Sequence, residues 1–184
     1  MAVPSRQVST LIVLGSGGHT AEMLTLAAHL DKQHYSPRCY VVAATDRMGE
    51  AKANAAEACG RGVAEGQACV CKIPRSREVG QSYVSSVWTT LVALCAAFSV
   101  VFSQRPELVL VNGPGTCVPI CLAALVYRLV LWRRCLLVYV ESIARVDTLS
   151  LSGKILYRIA DCTFVQWPQL QRKYPRTLCV GRLY

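Results

Sequence analysis

The sequence predicts one α/β domain, a single doubly wound parallel sheet, and three observations carry the prediction. Short apolar runs recur along the chain, helical stretches alternate with them, and a glycine-rich turn joins the first run to the first helix. Leu11-Ile12-Val13-Leu14, Tyr40-Val41-Val42-Ala43, Leu108-Val109-Leu110-Val111 and Leu136-Leu137-Val138-Tyr139-Val140 read as strands covered on both faces. Weaker strands are expected at 68–73, 163–165 and 178–180, each beside a short helix. The main helices are expected over 19–31, 47–59, 81–103 and 117–131. A chain of 184 residues has room for one such domain, assigned to 9–184 after a short lead at 1–8.

Composition narrows the class. At 53% apolar and 17% charged residues, the chain is greasier than a soluble domain of this size requires, so a hydrophobic surface for lipid or a partner is expected. Residues 1–71 hold six Lys/Arg against six Asp/Glu, whereas residues 72–184 hold fourteen against five, so the whole net charge of +9 lies in the later part. Such a field attracts anions: nucleic acid, anionic lipid or a diphosphate, or it is a plain solvated face. Nucleic acid is not expected as a partner, because the basic residues come in short pairs without aromatic interleaving or zinc-finger spacing. No hydrophobic segment of signal-peptide length precedes the first strand, so secretion by that route is not expected.

Ten cysteines without any Cys-x-x-Cys sit mostly in apolar runs and read as reduced, buried thiols of a cytosolic environment. Cys69-Val70-Cys71 alternates along a strand and Cys117 and Cys121 share a helix face, but no histidine completes a zinc set, so neither metal nor cofactor is expected. Val79 to Gln104 carries no charge and resembles a membrane span. Its helical wheel divides instead into a bulky face (Leu91, Leu94, Phe98, Val101) and a small one (Thr89, Thr90, Ala93, Ala97), the small face suited to the sheet. The bulky face is left for lipid, a partner or a second helix. Arg133-Arg134 beside the apolar run 122–132 suits a membrane surface as well.

The chemistry concentrates in loops that follow strands. Gly15-Ser16-Gly17-Gly18-His19-Thr20 runs from a strand into a helix, so free backbone N–H groups and a positive helix end meet there, and Ser16, Gly17, Gly18 and Thr20 are expected around a phosphate. A tight turn with no ligand is the alternative. His19, at the positive end of the helix, is expected to stay neutral and able to accept a proton. Asn112-Gly113-Pro114-Gly115-Thr116 forms a second turn at the same sheet edge, and Glu141 follows the strand 136–140 there, as a base, a sugar-hydroxyl ligand or a structural group. Arg75 and Arg77 lie in a basic loop able to meet a diphosphate. Asp46 after the second strand raises the competing reading of a stand-alone nucleotide-dependent oxidoreductase, although Thr20 replaces the third glycine of that fingerprint.

Taken in order, Gly15 to Thr20, Ile73 to Glu78, Asn112 to Pro119, Tyr139 to Ile143 and Val165 to Pro168 resemble one family. It is the membrane-anchoring, acceptor-binding subunit of the UDP-N-acetylglucosamine transferase of asparagine-linked glycosylation. The resemblance implies the acceptor half of a GT-B glycosyltransferase, similar to the N-terminal half of the bacterial peptidoglycan N-acetylglucosaminyltransferase. It implies a non-catalytic subunit that presents dolichyl-diphosphate-N-acetylglucosamine at the cytosolic face of the endoplasmic reticulum membrane, or the nuclear envelope, for addition of the second N-acetylglucosamine. A cytosolic catalytic subunit is the implied partner, docking at Arg182, Leu183 and Tyr184. The acceptor diphosphate would lie between Ser16, Gly17, Gly18, Thr20, Arg75 and Arg77 on one side and Asn112, Gly113, Gly115 and Thr116 on the other, with His19 or Glu141 near the attacking hydroxyl. Family members usually begin with a membrane-spanning helix, which the short lead is not expected to supply.

Overall fold

The computed structural model describes residues 6–58, 68–75, 83–113 and 116–184, with backbone alone at 83–87. Seven parallel strands form one sheet in the order β3-β2-β1-β4-β5-β6-β7. They are β1 (Thr10–Val13), β2 (Arg38–Ala43), β3 (Ala68–Ile73), β4 (Leu108–Asn112), β5 (Leu136–Val140), β6 (Cys162–Val165) and β7 (Leu178–Cys179). The helices between them are α1 (Gly18–His29), α2 (Arg47–Ala58), α3 (Tyr83–Gln104), α4 (Cys117–Leu131), α5 (Leu151–Ile159) and α6 (Pro168–Lys173). β1, β2 and β4 are buried along their whole length, as continuous apolar runs between two helical layers must be.

Alternate residues of each strand enter different cores. Leu11, Val13, Val41, Val109, Val111, Leu137 and Tyr139 pack under α3, α4 and α5. Ile12, Leu14, Tyr40, Val42, Leu110 and Val140 face the other way, toward Met23 and Ala27 of α1 and Ala53 of α2. The second face has fewer helices, so an apolar groove of about 450 Å³ stays open there, with Leu26, Leu30, Leu110, Val138, Phe164 and Leu183 among its walls.

In α3 the buried stripe is Ala93, Ala97 and Val101 at four-residue spacing, which puts Val101 with the small residues rather than on the bulky face. Methyl-sized groups let α3 approach the sheet closely, and Phe102 meets Tyr127 of α4 edge to face at 5.4 Å. Trp88, Leu91 and Val92 remain exposed. Among the described residues no helix is long and apolar enough to cross a membrane.

One buried cation is fully engaged. The Arg38 guanidinium donates to the carbonyls of Tyr35 and Leu30 at 2.9 and 3.1 Å and pairs with Glu57 at 3.3 Å. Tyr40 donates its hydroxyl to the same carboxylate at 2.6 Å, which ties β2 to α2.

Candidate functional site

The strand order reverses between β1 and β4, the point at which neighbouring loops leave in opposite directions and open a crevice. The two glycine turns foreseen from sequence flank this point, after Val13 and after Asn112. Gly17 caps α1 with φ +63°, no side chain closes the cap, and Gly17 and Gly18 are both exposed. Ser16 is exposed beside them. Thr20, by contrast, is buried and donates its hydroxyl to the Gly15 carbonyl at 2.5 Å, which closes the turn instead of meeting a ligand.

Two glycines make room for His19 rather than for an anion. A Cβ on Gly113 (φ +99°) would meet His19 Cγ at 2.8 Å, and one on Gly15 would meet His19 Cβ at 2.7 Å. The imidazole is thereby clamped between the two turns. Its Nδ1 lies 2.8 Å from Asn112 Oδ1 and 3.4 Å from Glu22 Oε2. Asn112 is fully buried and donates its Nδ2 to Glu22 at 2.9 Å and to the Tyr184 hydroxyl at 2.7 Å. A reversed amide would set its oxygen against the Glu22 carboxylate, so Oδ1 must face the ring and Nδ1 must carry the proton. Nε2 is left as the basic nitrogen.

Glu22 is the residue that sequence reading missed. It also accepts from the Ser142 hydroxyl at 2.8 Å, joining α1, β4 and the loop after β5. The signal was available, because His19 and Glu22 stand three residues apart on one helix face.

Glu141 is 1% exposed, and its carboxylate is saturated from within. It accepts from the Tyr139 hydroxyl at 3.0 Å and from the Ser150 backbone N–H and hydroxyl at 2.9 and 3.1 Å, while Ser150 caps α5 by accepting from Gly153 at 2.9 Å. Any side chain at Gly153 would strike this carboxylate. Burial and then the Glu141 charge push the Tyr139 phenol well above its ordinary pKa, so it remains a donor. Of the three roles considered for Glu141, this geometry supplies the structural one.

The remaining residues fall around this centre. Thr116 stands at the N-cap position of α4, buried, with no side-chain cap hydrogen bond. Arg75 lies half-buried after β3, two strands from β1 on the same sheet edge. Arg77 and Gly115 lie outside the described residues. Leu183 and Tyr184 turn back onto this chain's own sheet: Leu183 N–H donates to Gln166 at 3.2 Å, and Tyr184 donates to the Glu141 carbonyl at 3.3 Å. Burial, then the charges of Glu22 and Glu141, raise the Tyr184 phenol above its usual range. Arg182 is exposed. Asp46 accepts the Gly49 N–H at 2.9 Å and caps α2, a local task that leaves the oxidoreductase alternative without support.

This sheet and its paired loops define a Rossmann-like half of the GT-B class. MurG of Acinetobacter baumannii superposes with a TM-score of 0.63 at 18% identity, over 90% of this chain and 42% of that one. A UDP-N-acetylglucosamine 2-epimerase gives 0.65 at 16% identity, over 96% and 47%. The chain thus spans less than half of either protein, and the likeness is one of fold.

The chain belongs to the Alg14 family, whose model, "Oligosaccharide biosynthesis protein Alg14 like", matches residues 10–183. The UDP-N-acetylglucosamine transferase subunit ALG14 of Rattus norvegicus is 47% identical over 98% of this chain and 85% of its own length. The subunit of the same name from Yarrowia lipolytica is 42% identical over 90% of this chain and 76% of its own length.

Proposed function

We propose that this chain is the acceptor-side subunit of a UDP-N-acetylglucosamine transferase. It presents dolichyl-diphosphate-N-acetylglucosamine and recruits a donor-binding catalytic partner to the cytosolic face of the endoplasmic reticulum membrane. The observation that carries this reading is the family match in a chain whose fold corresponds to one half of MurG. In this reading a partner supplies the other, donor-binding half.

The site suggests how labour is divided. Glu22 and Glu141 make its polar centre unwelcoming to phosphate, so the diphosphate belongs at the exposed Ser16-Gly17-Gly18 backbone, with Arg75 on the rim. The inner edge, at His19, is left for the acceptor sugar. There the acceptor 4-hydroxyl attacks the anomeric carbon of the donor, the bond to UDP breaks, UDP departs with the electron pair, and His19 Nε2 takes the hydroxyl proton. Asn112 and Glu22 hold the imidazole in the required tautomer.

Two surfaces support the remaining roles. The open groove beside Leu183 is apolar and continuous with the ordered tail, as a docking site for the catalytic partner requires. Trp88, 71% exposed, with Leu91 and Val92, lies on the half of α3 nearer the His19 edge, where a lipid-linked acceptor must arrive. Trp132 with Arg133 and Arg134 lies at the opposite sheet edge, before β5.

The test is co-expression with a donor-binding partner, with and without Arg182 to Tyr184, scoring complex formation and sugar transfer to a lipid-diphosphate acceptor. Transfer is expected only from the complex with the intact tail. Transfer by the isolated chain would overturn the proposal.

A further inference from the structure

At the other end of the sheet from His19, three cysteines from two strands converge. Cys39 and Cys69 are paired in register across β2 and β3, and Cys71 follows on the same face. The three Sγ atoms lie within 4.8 Å of one another, with Cys39 and Cys71 separated by 3.4 Å. Gln104, the last residue of α3, closes the group: its Oε1 is 3.7 Å from Cys69 Sγ and its Nε2 is 4.0 Å from Cys71 Sγ. Sequence spacing concealed this set, because Cys39 and Gln104 stand far from Cys69 and Cys71 along the chain.

The dimensions match a known coordination sphere. Zinc–thiolate bonds of about 2.3 Å in a tetrahedron place sulfurs about 3.8 Å apart, and an oxygen ligand at about 2.1 Å lies about 3.6 Å from each sulfur. The thiols, from 3.4 Å for Cys39 and Cys71 to within 4.8 Å for all three, bracket the first distance, and Gln104 Oε1 meets the second at Cys69. Cys39 is buried, Cys71 half-buried and Cys69 exposed, so the group has an entry path, and a cavity of about 110 Å³ opens beside Cys39, Cys69 and Gln104.

We propose that Cys39, Cys69, Cys71 and the Gln104 carbonyl oxygen bind one zinc(II) ion, which clips edge strand β3 to β2 and to the end of α3. Three thiols become thiolates on binding, and their three protons pass to solvent. The ion holds together an edge that, among the described residues, has no further strand to pair with, and it does so independently of the acceptor site.

The experiment uses the whole 184-residue chain, reduced and stripped of metal, titrated with cobalt(II) and then zinc(II). A single tetrahedral cobalt spectrum with thiolate charge-transfer bands, displaced by zinc, is expected. Cys69→Ser and Cys71→Ser should each weaken zinc binding by roughly 100-fold or more, and Gln104→Leu by about 10-fold. Cys95→Ser, on the exposed side of α3, should leave it unchanged. Octahedral cobalt without charge-transfer bands, equal loss in Cys95→Ser, or a Cys39–Cys71 disulfide in chain purified without reductant would each overturn the proposal. Circular dichroism of the Cys69→Ser chain, whose altered side chain is exposed, separates lost binding from lost folding.

Discussion

The 2.8 Å contact between His19 Nδ1 and Asn112 Oδ1 joins the two turns at the switch point and, in the proposed reaction, leaves the other ring nitrogen to act as the base. That single contact separates positioning from proton transfer. In the complex with the catalytic partner, His19→Ala should lower kcat by about 100- to 10,000-fold, with little change in KM for the lipid acceptor. Asn112→Asp should also lower kcat, because a carboxylate set against Glu22 disrupts the contacts that orient the imidazole. Transfer rates of the two complexes at limiting and saturating lipid acceptor check both expectations.

Glu141 predicts the opposite pattern. Its partners Tyr139 and Ser150 lie inside the fold, so Glu141→Ala would leave buried donors unpaired and detach the α5 cap. A loss of about 2–4 kcal/mol follows from those unpaired groups together with the weakened cap. Thermal unfolding should register it, while transfer per folded complex, measured well below the lowered Tm, should stay close to that of the parent.

Glu57 provides an acid-sensitive tie. Burial alone would raise its carboxyl above the usual 4.5, but the Tyr40 hydrogen bond and the Arg38 and Lys32 charges outweigh that and hold it lower. A depressed folded value means that this stabilisation is present above the usual carboxylate value and is lost as pH falls through the lower folded one. Urea unfolding at a series of pH values should therefore show stability declining below about 4.5. Glu57→Gln should flatten that decline. At neutral pH the variant should be less stable by about 3–5 kcal/mol, because Arg38 remains buried without its counter-charge.

Much of this molecule is legible in its sequence, for identifiable reasons. A strand buried on both faces has to be apolar, so β1, β2 and β4 announce themselves, whereas the equally apolar β5 leaves Leu136 exposed and Val138 half-buried at the open groove; the ends of these strands and the turns after them place His19, Asn112 and Glu141 on one edge. Long-range pairing is what the string hides. Nothing local shows that Gly113 shapes the pocket for His19, that Glu22 reaches both Asn112 and Ser142, or that Cys39 completes a trio with Cys69 and Cys71. Glu141 misleads for a related reason: a carboxylate at a strand end looks free until Ser150, nine residues on, is seen to return to it.

The tail gives the sharpest test of the partner surface. Leu183 packs with Val138, Val140 and Phe164 at the open face of the sheet, and Tyr184 bonds to Asn112, so the last residues connect the groove to the His19 cluster. A charge at Leu183 would sit in an apolar wall and repel any hydrophobic segment seated there. Leu183→Asp should therefore abolish co-purification of the catalytic partner while leaving the far core under α3 and α4 folded. Tyr184→Phe retains the apolar contact and removes only the hydroxyl that meets Asn112. It should keep partner binding within a few-fold and lower kcat instead, since His19 loses part of the network that orients it. If Tyr184→Phe released the partner as fully as Leu183→Asp, the tail would act through the hydroxyl and not through the groove, and the division between docking and orientation would fail.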